Sequence, residues 1–299
     1  MAIVKTSNLV KKFGSFTALN GIDLEVQAGE VYGFIGPNGA GKTTTIRVLL
    51  GILRATSGQV EIFGKDAWKD AVEIHKRVAY VPGDINLWPN LTGGEVIDFF
   101  IRLRGGSGNR REEFIAKFDL DPTKKCRTYS KGNRQKVALV AAFASDADLY
   151  VLDEPTSGLD PLMYRVFQEH ILQLKQEGKS VFLSSHVLSE VERLCDRISI
   201  IRQGEIIESG SLDQLRHLTG TQVEVETAQP MPALHSLAGV HDVRQRDGAL
   251  VFLVDNEEIG NVLKYISGFD VKRLECAPLT LEDLFMRYYK GGAAGGGGA

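Results

Sequence analysis

Long apolar segments are missing from this 299-residue sequence. The longest purely apolar run is VALVAAFA, from Val137 to Ala144, whereas a helix needs roughly 18 to 20 such residues to cross a bilayer. The N-terminal stretch MAIVKTSNLV also lacks the apolar core of a secretory signal. We therefore expect a chain that neither spans a membrane nor leaves the cell.

Cysteine and excess positive charge are also scarce. The three cysteines, Cys126, Cys195 and Cys276, are far apart and form no metal or redox motif, which favours a reduced, cytoplasmic compartment. The formal net charge is -3, and no long block of lysine or arginine occurs. We therefore expect no nucleic-acid partner.

The apolar pattern divides the chain into two blocks and a tail. Residues 1–218 alternate short apolar runs with helical spacing, which predicts an α/β domain with a largely parallel sheet. Within this block, residues from about 87 to 144 show helical spacing only and are interpreted as a helical insertion. Residues 219–290 read as strand, helix, strand, strand, helix, strand, helix, which fits a small α+β ferredoxin-like domain. The tail, 291–299, is GGAAGGGGA, which is typical of a linker.

A glycine-rich motif, GPNGAGKTTT, follows the apolar run VYGFI and precedes TIRVLLGIL. This placement between a strand and a helix is that of a phosphate-binding loop, in which backbone N–H groups and the helix N-terminus surround phosphate oxygens. Lys42 would reach the β and γ phosphates of a nucleotide, and the Thr43 hydroxyl would bind Mg²⁺. A glycine-rich turn that caps a helix is the alternative. The candidate phosphate-binding residues are Gly36, Asn38, Gly39, Gly41, Lys42, Thr43 and Thr44.

Two adjacent carboxylates end the apolar run LYVL in the segment DADLYVLDEPTSGLDP. Carboxylates at the end of a buried strand are costly to desolvate unless a cation or substrate meets them. Asp153 would hold Mg²⁺, directly or through water, and Glu154 would activate the attacking water as a general base. The alternative is a capped turn in which both carboxylates are solvated.

A third polar segment, YSKGNRQK, stands immediately before VALVAAFA and predicts the start of a helix. Together with GPNGAGKTT, LYVLDEPTSGLDP and SSH, in this order, it resembles the nucleotide-binding subunit of ATP-binding cassette (ABC) transporters. The resemblance covers roughly Ile3 to Leu218 and implies a P-loop ABC ATPase domain that binds ATP and Mg²⁺. The C-terminal block, with LTLEDLFMRYY, resembles the extension of daunorubicin-type drug-exporter ATPases, which implies a regulatory or dimerisation domain.

This resemblance also implies roles for five further residues. In ABC proteins two nucleotide-binding subunits pair head to tail, so Ser130 and Gly132 would meet the γ-phosphate of ATP bound by a second subunit, identical or different. His186 would contact the γ-phosphate and position the lytic water. Asp160 would link the two sites across the dimer, and Phe13 would stack on adenine. For Ser130 an ordinary helix cap, and for Phe13 packing in the core, remain alternatives.

One position departs from the family pattern. The family commonly has a glutamine that touches Mg²⁺ and water after the strand VAYV, but this sequence has Gly83 there. Water, the neighbouring Asp84 or a second subunit would have to fill that place. The apolar pair Leu87 and Trp88 follows in the same loop and would suit a groove for a membrane subunit, or else form a local hydrophobic plug.

The resemblance therefore implies an ATP-hydrolysing subunit that powers export through a separate transmembrane permease. It would lie on the cytoplasmic face of the cell membrane as a peripheral protein, and its cargo would be drug-like or hydrophobic. A lipid or polysaccharide exporter subunit would differ only in cargo. The alternative from another class is a soluble ABC ATPase that acts as an ATP-gated clamp on ribosomes or nucleic acid. Two cassettes in one chain, a coiled-coil insertion or a basic surface would favour that class, and the sequence has none of them.

Overall fold

A computed structural model describes residues 1–106, 108–217, 220–246 and 248–278. The chain forms two compact units, Met1–Gly210 and Ser211–Ala299. None of the described helices combines the length and the apolar character that a bilayer crossing requires.

The elements are numbered in chain order. The described strands are β1 (Ala2–Phe13), β2 (Phe16–Gln27), β3 (Val31–Ile35), β4 (Ser57–Ile62), β5 (Lys65–Asp66), β6 (Val78–Val81), β7 (Leu149–Asp153), β8 (Ser180–Ser185), β9 (Arg197–Arg202), β10 (Glu205–Ser211), β11 (Thr221–Thr227), β12 (Val240–Arg246), β13 (Ala249–Val254) and β14 (Val271–Pro278). The described α-helices are α1 (Lys42–Leu49), α2 (Ala71–His75), α3 (Gly93–Leu103), α4 (Arg111–Lys117), α5 (Lys131–Phe143), α6 (Pro161–Gln176), α7 (Leu188–Leu194), α8 (Leu212–His217) and α9 (Ile259–Ile266).

The central sheet of the first unit has six strands in the order β10-β9-β3-β8-β7-β6. The neighbours β9-β3, β3-β8, β8-β7 and β7-β6 are parallel, and β3, β7 and β8 are buried along their whole length. A parallel strand covered on both faces reads as a continuous apolar run, which is why the sequence predicted these strands. The predicted α/β fold with a largely parallel sheet is confirmed. Its geometry brings the carboxyl ends of β3, β7 and β8 to one edge.

A second sheet in the same unit was not predicted from the sequence. It has the order β2-β1-β4-β5, and all its strand pairs are antiparallel. Its long strands alternate buried and exposed residues; Ile22, Leu24 and Val26 are buried on one face of β2. These side chains join Val4 and Leu9 of β1 in the core cluster that also contains α1 and β3 residues. The sheet therefore forms the wall against which the glycine-rich loop and its helix pack.

The segment predicted to be a helical insertion contains α3, α4 and α5, and its described residues form no strand longer than the single bridge Thr92–Lys125. A capping box fixes the start of α3, since the Thr92 hydroxyl accepts from the Glu95 N–H and the Glu95 carboxylate accepts from the Thr92 N–H. A single N-cap bond starts α5, where the Ser130 hydroxyl accepts from the Asn133 N–H at 3.3 Å.

The second unit contains an antiparallel sheet in the order β12-β13-β11-β14. Counting these strands along the chain gives 2-3-1-4, the ferredoxin-like arrangement predicted from the sequence. Its core consists of Val223 and Phe252 from the sheet, Val262 and Ile266 from α9, and their neighbours.

One predicted helix of this unit is wrong. The segment PALHSLAG forms only a 3-10 turn, Leu234–Ser236, although Leu234 is fully buried. Pro232 and Gly239 leave too few residues between them for a stable α-helix, whose first turn is unfavourable to form. The last predicted helix, TLEDLFMRYY, lies outside the described residues.

His170 is the one buried side chain among the described residues whose ring nitrogens both lack a hydrogen-bond partner. It projects from α6 and is only 3% exposed. Its ring lies edge-on against Phe114 at 4.7 Å and Phe143 at 4.3 Å between centroids, so it joins α6 to the helical insertion. Burial, with a smaller effect of the Arg110 cation, lowers the pKa of His170 to about 4.

We predict that His170→Phe makes the chain less sensitive to acid. An unfolded histidine takes up a proton near pH 6.5, whereas folded His170 does so only near pH 4, so folding loses stability as the pH falls through that window. Between pH 7 and pH 5 the free energy of unfolding should fall by about 2 kcal/mol more in the wild type than in His170→Phe. Denaturant unfolding at both pH values measures this difference, with the exposed His235→Phe as control. Equal pH dependence of wild type and His170→Phe would contradict it.

Candidate active site

The glycine-rich loop joins β3 to α1 and closes around the ammonium group of Lys42. Gly41, the N-cap of α1, has a φ of 116°, a left-handed conformation that favours glycine. Lys42 is 5% exposed, and its Nζ donates to the carbonyl oxygens of Gly36 at 2.7 Å and Pro37 at 3.2 Å. The loop therefore surrounds a buried cation at a helix N-terminus, an arrangement suited to bind phosphate.

Asp153 ends β7 and is 1% exposed. Its Oδ2 accepts from the Thr43 hydroxyl at 2.8 Å, and its Oδ1 accepts from the Ser184 hydroxyl. Among the described residues, no lysine or arginine forms an ion pair with it. A buried carboxylate beside a hydroxyl, with no protein cation to compensate it, is an oxygen donor set that fits Mg²⁺.

Glu154 lies where the loop after β7 meets two other segments. Its Oε1 is 3.2 Å from Lys42 Nζ, and its Oε2 is 3.2 Å from His186 Nδ1. Its side chain remains 25% exposed, so solvent water can reach it. The structure thus brings together Lys42, Glu154 and His186, which are far apart in the sequence.

The backbone of Glu154 is in the left-handed region, with a φ of 46°. For a non-glycine residue this conformation costs roughly 1–2 kcal/mol and persists only where the surroundings hold it. Its N–H donates to both the carbonyl and the hydroxyl oxygen of Ser184 on β8, each at 3.1 Å. A strained turn therefore aims the carboxylate of Glu154 at this site.

Gly83, the departure from the family pattern, adjoins Asp153. A Cβ atom at this position would lie 3.4 Å from Asp153 Oδ2, so a longer side chain here would lie against the carboxylate. Asp84 is exposed and accepts a hydrogen bond from the Asn86 amide at 3.3 Å.

The start of α5 packs against the loop that follows Glu154. Lys131 Nζ donates to the Ser157 hydroxyl at 2.7 Å, and Gln135 Nε2 donates to the Pro155 carbonyl at 2.8 Å. A Cβ atom at Gly132 would come within 2.4 Å of the Gly158 carbonyl oxygen, so only glycine fits there without a shift. These contacts tie the first turn of α5 to the Glu154 loop.

Three other candidates lie apart from the phosphate loop. Among the described residues, no hydrogen bond or ion pair joins Ser130, Gly132 or Asp160 to it. Asp160 caps α6, where its Oδ1 accepts from the N–H groups of Leu162 at 3.0 Å and Met163 at 2.9 Å. These hydrogen bonds lower the pKa of Asp160, and the bond from Met163 has the larger effect.

Phe13 ends β1 and pairs with Phe16 at the start of β2. It is 48% exposed, so it is not a core residue, and Lys11 Nζ lies 4.8 Å from its ring centroid. An exposed aromatic face is compatible with stacking on a base.

Sequence reasoning missed residues that hold this site in place. Ser184 bonds both Asp153 and Glu154, and Glu190 on α7 accepts from the Thr156 hydroxyl at 2.9 Å. The serine pair in SVFLSSH was visible in the sequence, but nothing in the spacing of Glu190 indicated its contacts.

Comparison with known proteins identifies the chain. A family model described as ABC transporter matches residues 19–157, and one described as ATP-binding protein DrrA1-3-like, C-terminal domain, matches residues 210–289. The chain is 33% identical to the bacitracin transport ATP-binding protein BcrA of Bacillus licheniformis, over 98% of this chain and 99% of that protein. This chain belongs to the ABC transporter family. It is an ATP-binding subunit, and hydrolysis of ATP is a general property of these transporter subunits.

Other relatives agree with this assignment. The ABC subunit is 32% identical to the Nod factor export ATP-binding protein I of Burkholderia lata, over 96% of this chain and 97% of that protein. A solved ATP-binding subunit of an ABC transporter matches with a TM-score of 0.68 and 30% identity, over 72% of this chain and 92% of the other. A dimeric bacterial ABC transporter cassette matches with a TM-score of 0.63 and 25% identity, over 70% of this chain and 98% of the other. The family, fold class and ATPase class predicted from the sequence are confirmed.

We predict that Lys42 and Glu154 separate binding from turnover. Lys42→Ala should weaken ATP binding roughly 10- to 100-fold, because it removes a cation from the phosphate loop. Glu154→Gln should bind ATP like the wild type and lower kcat by at least about 100-fold, because an amide cannot accept the proton of water. Nucleotide titration and steady-state phosphate release measure the two effects. Wild-type turnover by Glu154→Gln would exclude Glu154 as the general base.

Proposed function

We propose that this ABC subunit hydrolyses ATP at the Lys42, Asp153, Glu154 and His186 site to power export through a separate transmembrane permease. The contact of Glu154 with both Lys42 and His186, each at 3.2 Å, is the observation that carries the proposal. Two relatives, a bacitracin transport protein and a Nod factor export protein, support a transport role and leave the cargo open. Association with such a permease would hold the subunit at the cytoplasmic face of the membrane as a peripheral protein.

The residues of the site divide the work of hydrolysis. Lys42 and the loop N–H groups bind the phosphates of ATP, and Phe13 stacks on the adenine. Thr43 and Asp153 would hold Mg²⁺, and the ion would supply positive charge to neutralise the phosphates. Glu154 takes a proton from the attacking water, while His186 orients that water and the γ-phosphate.

We further propose the predicted domain division for this chain. Residues 1–218 would form the nucleotide-binding domain, with the helical insertion at about 87–144. Residues 219–290 would form the regulatory or dimerisation domain, and residues 291–299 a linker. The division of the chain into two compact units supports two such domains, although it falls between residues 210 and 211, before the proposed boundary.

A second ABC subunit completes the site in this proposal. Ser130, Gly132 and the N-terminus of α5 would face the γ-phosphate bound by that subunit, and Asp160 would lie at the junction. Ser130 and Lys131 are exposed, and a solved relative is described as dimeric. Lys131, which directly follows Ser130, adds a positive charge at this surface.

We expect ATP-dependent pairing to require a small residue at position 130. Glu154→Gln, with ATP and Mg²⁺, should form dimers because the nucleotide persists between the subunits. Ser130→Arg added to Glu154→Gln should prevent pairing, since its bulk would occupy the phosphate position. Light scattering measures the mass of the particles and so distinguishes monomer from dimer. Ser130→Ala, which adds no bulk at this position, is the control. Unchanged dimers in the arginine variant would contradict this role.

A cavity of about 570 Å³ opens between the helical insertion and the α/β core, and we propose it as the docking groove for the permease. Its apolar lining includes Leu87, Phe100, Leu103 and Ala138. Trp88 packs edge-on against Phe99 at 5.4 Å, and both remain nearly half exposed. An exposed aromatic cluster beside an apolar groove is typical of a protein interface.

The test of this groove is a charge placed on its rim. Leu103 is 70% exposed, so Leu103→Asp should fold normally and keep basal ATPase activity. In native cells the membrane-bound fraction of the subunit should fall by about tenfold, because docking would bury an unpaired carboxylate. Leu172→Asp, on an exposed site of α6 outside the groove, is the matched control. Equal membrane recovery of both variants after sedimentation would place the permease elsewhere.

A further inference from the structure

Glu190 lies on α7, four residues after His186, and joins two segments of the active site. Its Oε2 accepts a hydrogen bond from the Thr156 hydroxyl at 2.9 Å and from the Ser185 hydroxyl at 3.2 Å. Thr156 is two residues beyond Glu154, and Ser185 directly precedes His186. One carboxylate oxygen thus connects the loop that carries the general base with the strand end that carries the histidine.

The strained turn at Glu154 explains why such a connection matters. A left-handed glutamate relaxes unless its neighbours hold the loop in place. Ser184 holds the Glu154 N–H, and Gln135 holds the Pro155 carbonyl. Glu190 holds the next residue, Thr156, and of these three contacts it is the one that also reaches the residue before His186.

We propose that Glu190 is a positioning residue that fixes the carboxylate of Glu154 relative to the imidazole of His186. It acts through Thr156 and Ser185 and does not itself touch ATP. The inference rests on the proposed roles of Glu154 and His186 in hydrolysis. Glu190 therefore affects the turnover step, whereas Lys42 and its loop determine the affinity for ATP.

The role of Glu190 as a hydrogen-bond acceptor can be separated from its negative charge. Both hydroxyls donate to the same oxygen, so a glutamine carbonyl in that position can accept both bonds. Burial, opposed by these two hydrogen bonds, raises the pKa of Glu190. An acceptor at this place therefore does not have to be ionised.

Steady-state ATPase kinetics test the proposal. Glu190→Ala should lower kcat by roughly 10- to 100-fold, because misplacement of a base by a fraction of an ångström is costly, while KM for ATP stays within about threefold. Glu190→Gln should stay within about threefold of the wild-type kcat. Glu169→Ala, at an exposed carboxylate on α6, is the matched control and should behave as wild type.

A double-mutant cycle with Thr156→Val isolates the contact. Thr156→Val keeps the shape and removes the donor, so it should lower kcat, and it should add little to Glu190→Ala. If Glu190→Ala does not fold, Thr156→Val and Glu190→Gln carry the test.

Four results would overturn the inference: wild-type kcat in Glu190→Ala, a raised KM with unchanged kcat, equal loss in Glu190→Gln and Glu190→Ala, or additive effects in the cycle. Glu154→Gln, assayed in parallel, separates a failure of the role proposed for Glu154 from a failure of the role proposed for Glu190. Full activity of that variant would reject the proposed role of Glu154 in hydrolysis, on which the inference rests, whereas an inactive Glu154→Gln beside a fully active Glu190→Ala would reject only the role of Glu190.

Discussion

The rest of this ABC subunit is arranged around one constraint, the burial of Asp153 at the end of β7. A carboxylate that is 1% exposed requires hydrogen-bond donors, and the parallel sheet provides them from two sides. Thr43 approaches from the helix after β3, and Ser184 from the adjacent strand β8. Because parallel strands end at the same edge, these groups meet without any long loop. Because Glu154 directly follows Asp153, the same arrangement also sets the position of Glu154.

Rigidity around Glu154 comes from several elements and not from one. Its backbone conformation is unfavourable by itself, and the loop around it is held by β8, by Gln135 of α5 and by α7. Each of these contacts joins residues that are at least 20 positions apart in the sequence. The glycine-rich loop, by contrast, is held by the Lys42 ammonium group, which donates to the carbonyl oxygens of Gly36 and Pro37 in the same loop. The conformation of this loop thus involves local contacts, whereas placement of the Glu154 carboxylate depends on the tertiary fold.

The same division explains what could be predicted from the sequence. GPNGAGKTTT and LYVLDE carry their chemistry within a few residues, so the loop, the buried strand and the carboxylates were visible there. The β1–β2 sheet was not, because several bulges in the register of β1 and β2 interrupt the alternation of buried and exposed residues along both strands. Glu190 and the aromatic cluster of Trp88 and Phe99 depend on contacts that only the fold creates. The helix predicted at PALHSLAG is wrong because Pro232 and Gly239 are too close in the sequence to leave room for a stable α-helix, although the apolar residues between them have helical spacing.

The contact between Gly132 and Gly158 has a consequence for how variants of such proteins are interpreted. A side chain at position 132 is excluded by the chain's own Gly158 carbonyl, 2.4 Å from where a Cβ would lie, before any second subunit is considered. Position 132 is thus constrained by internal packing as well as by any ligand. Loss of activity on replacement of this glycine therefore does not by itself identify a nucleotide contact, because any side chain there would force the start of α5 away from its own loop.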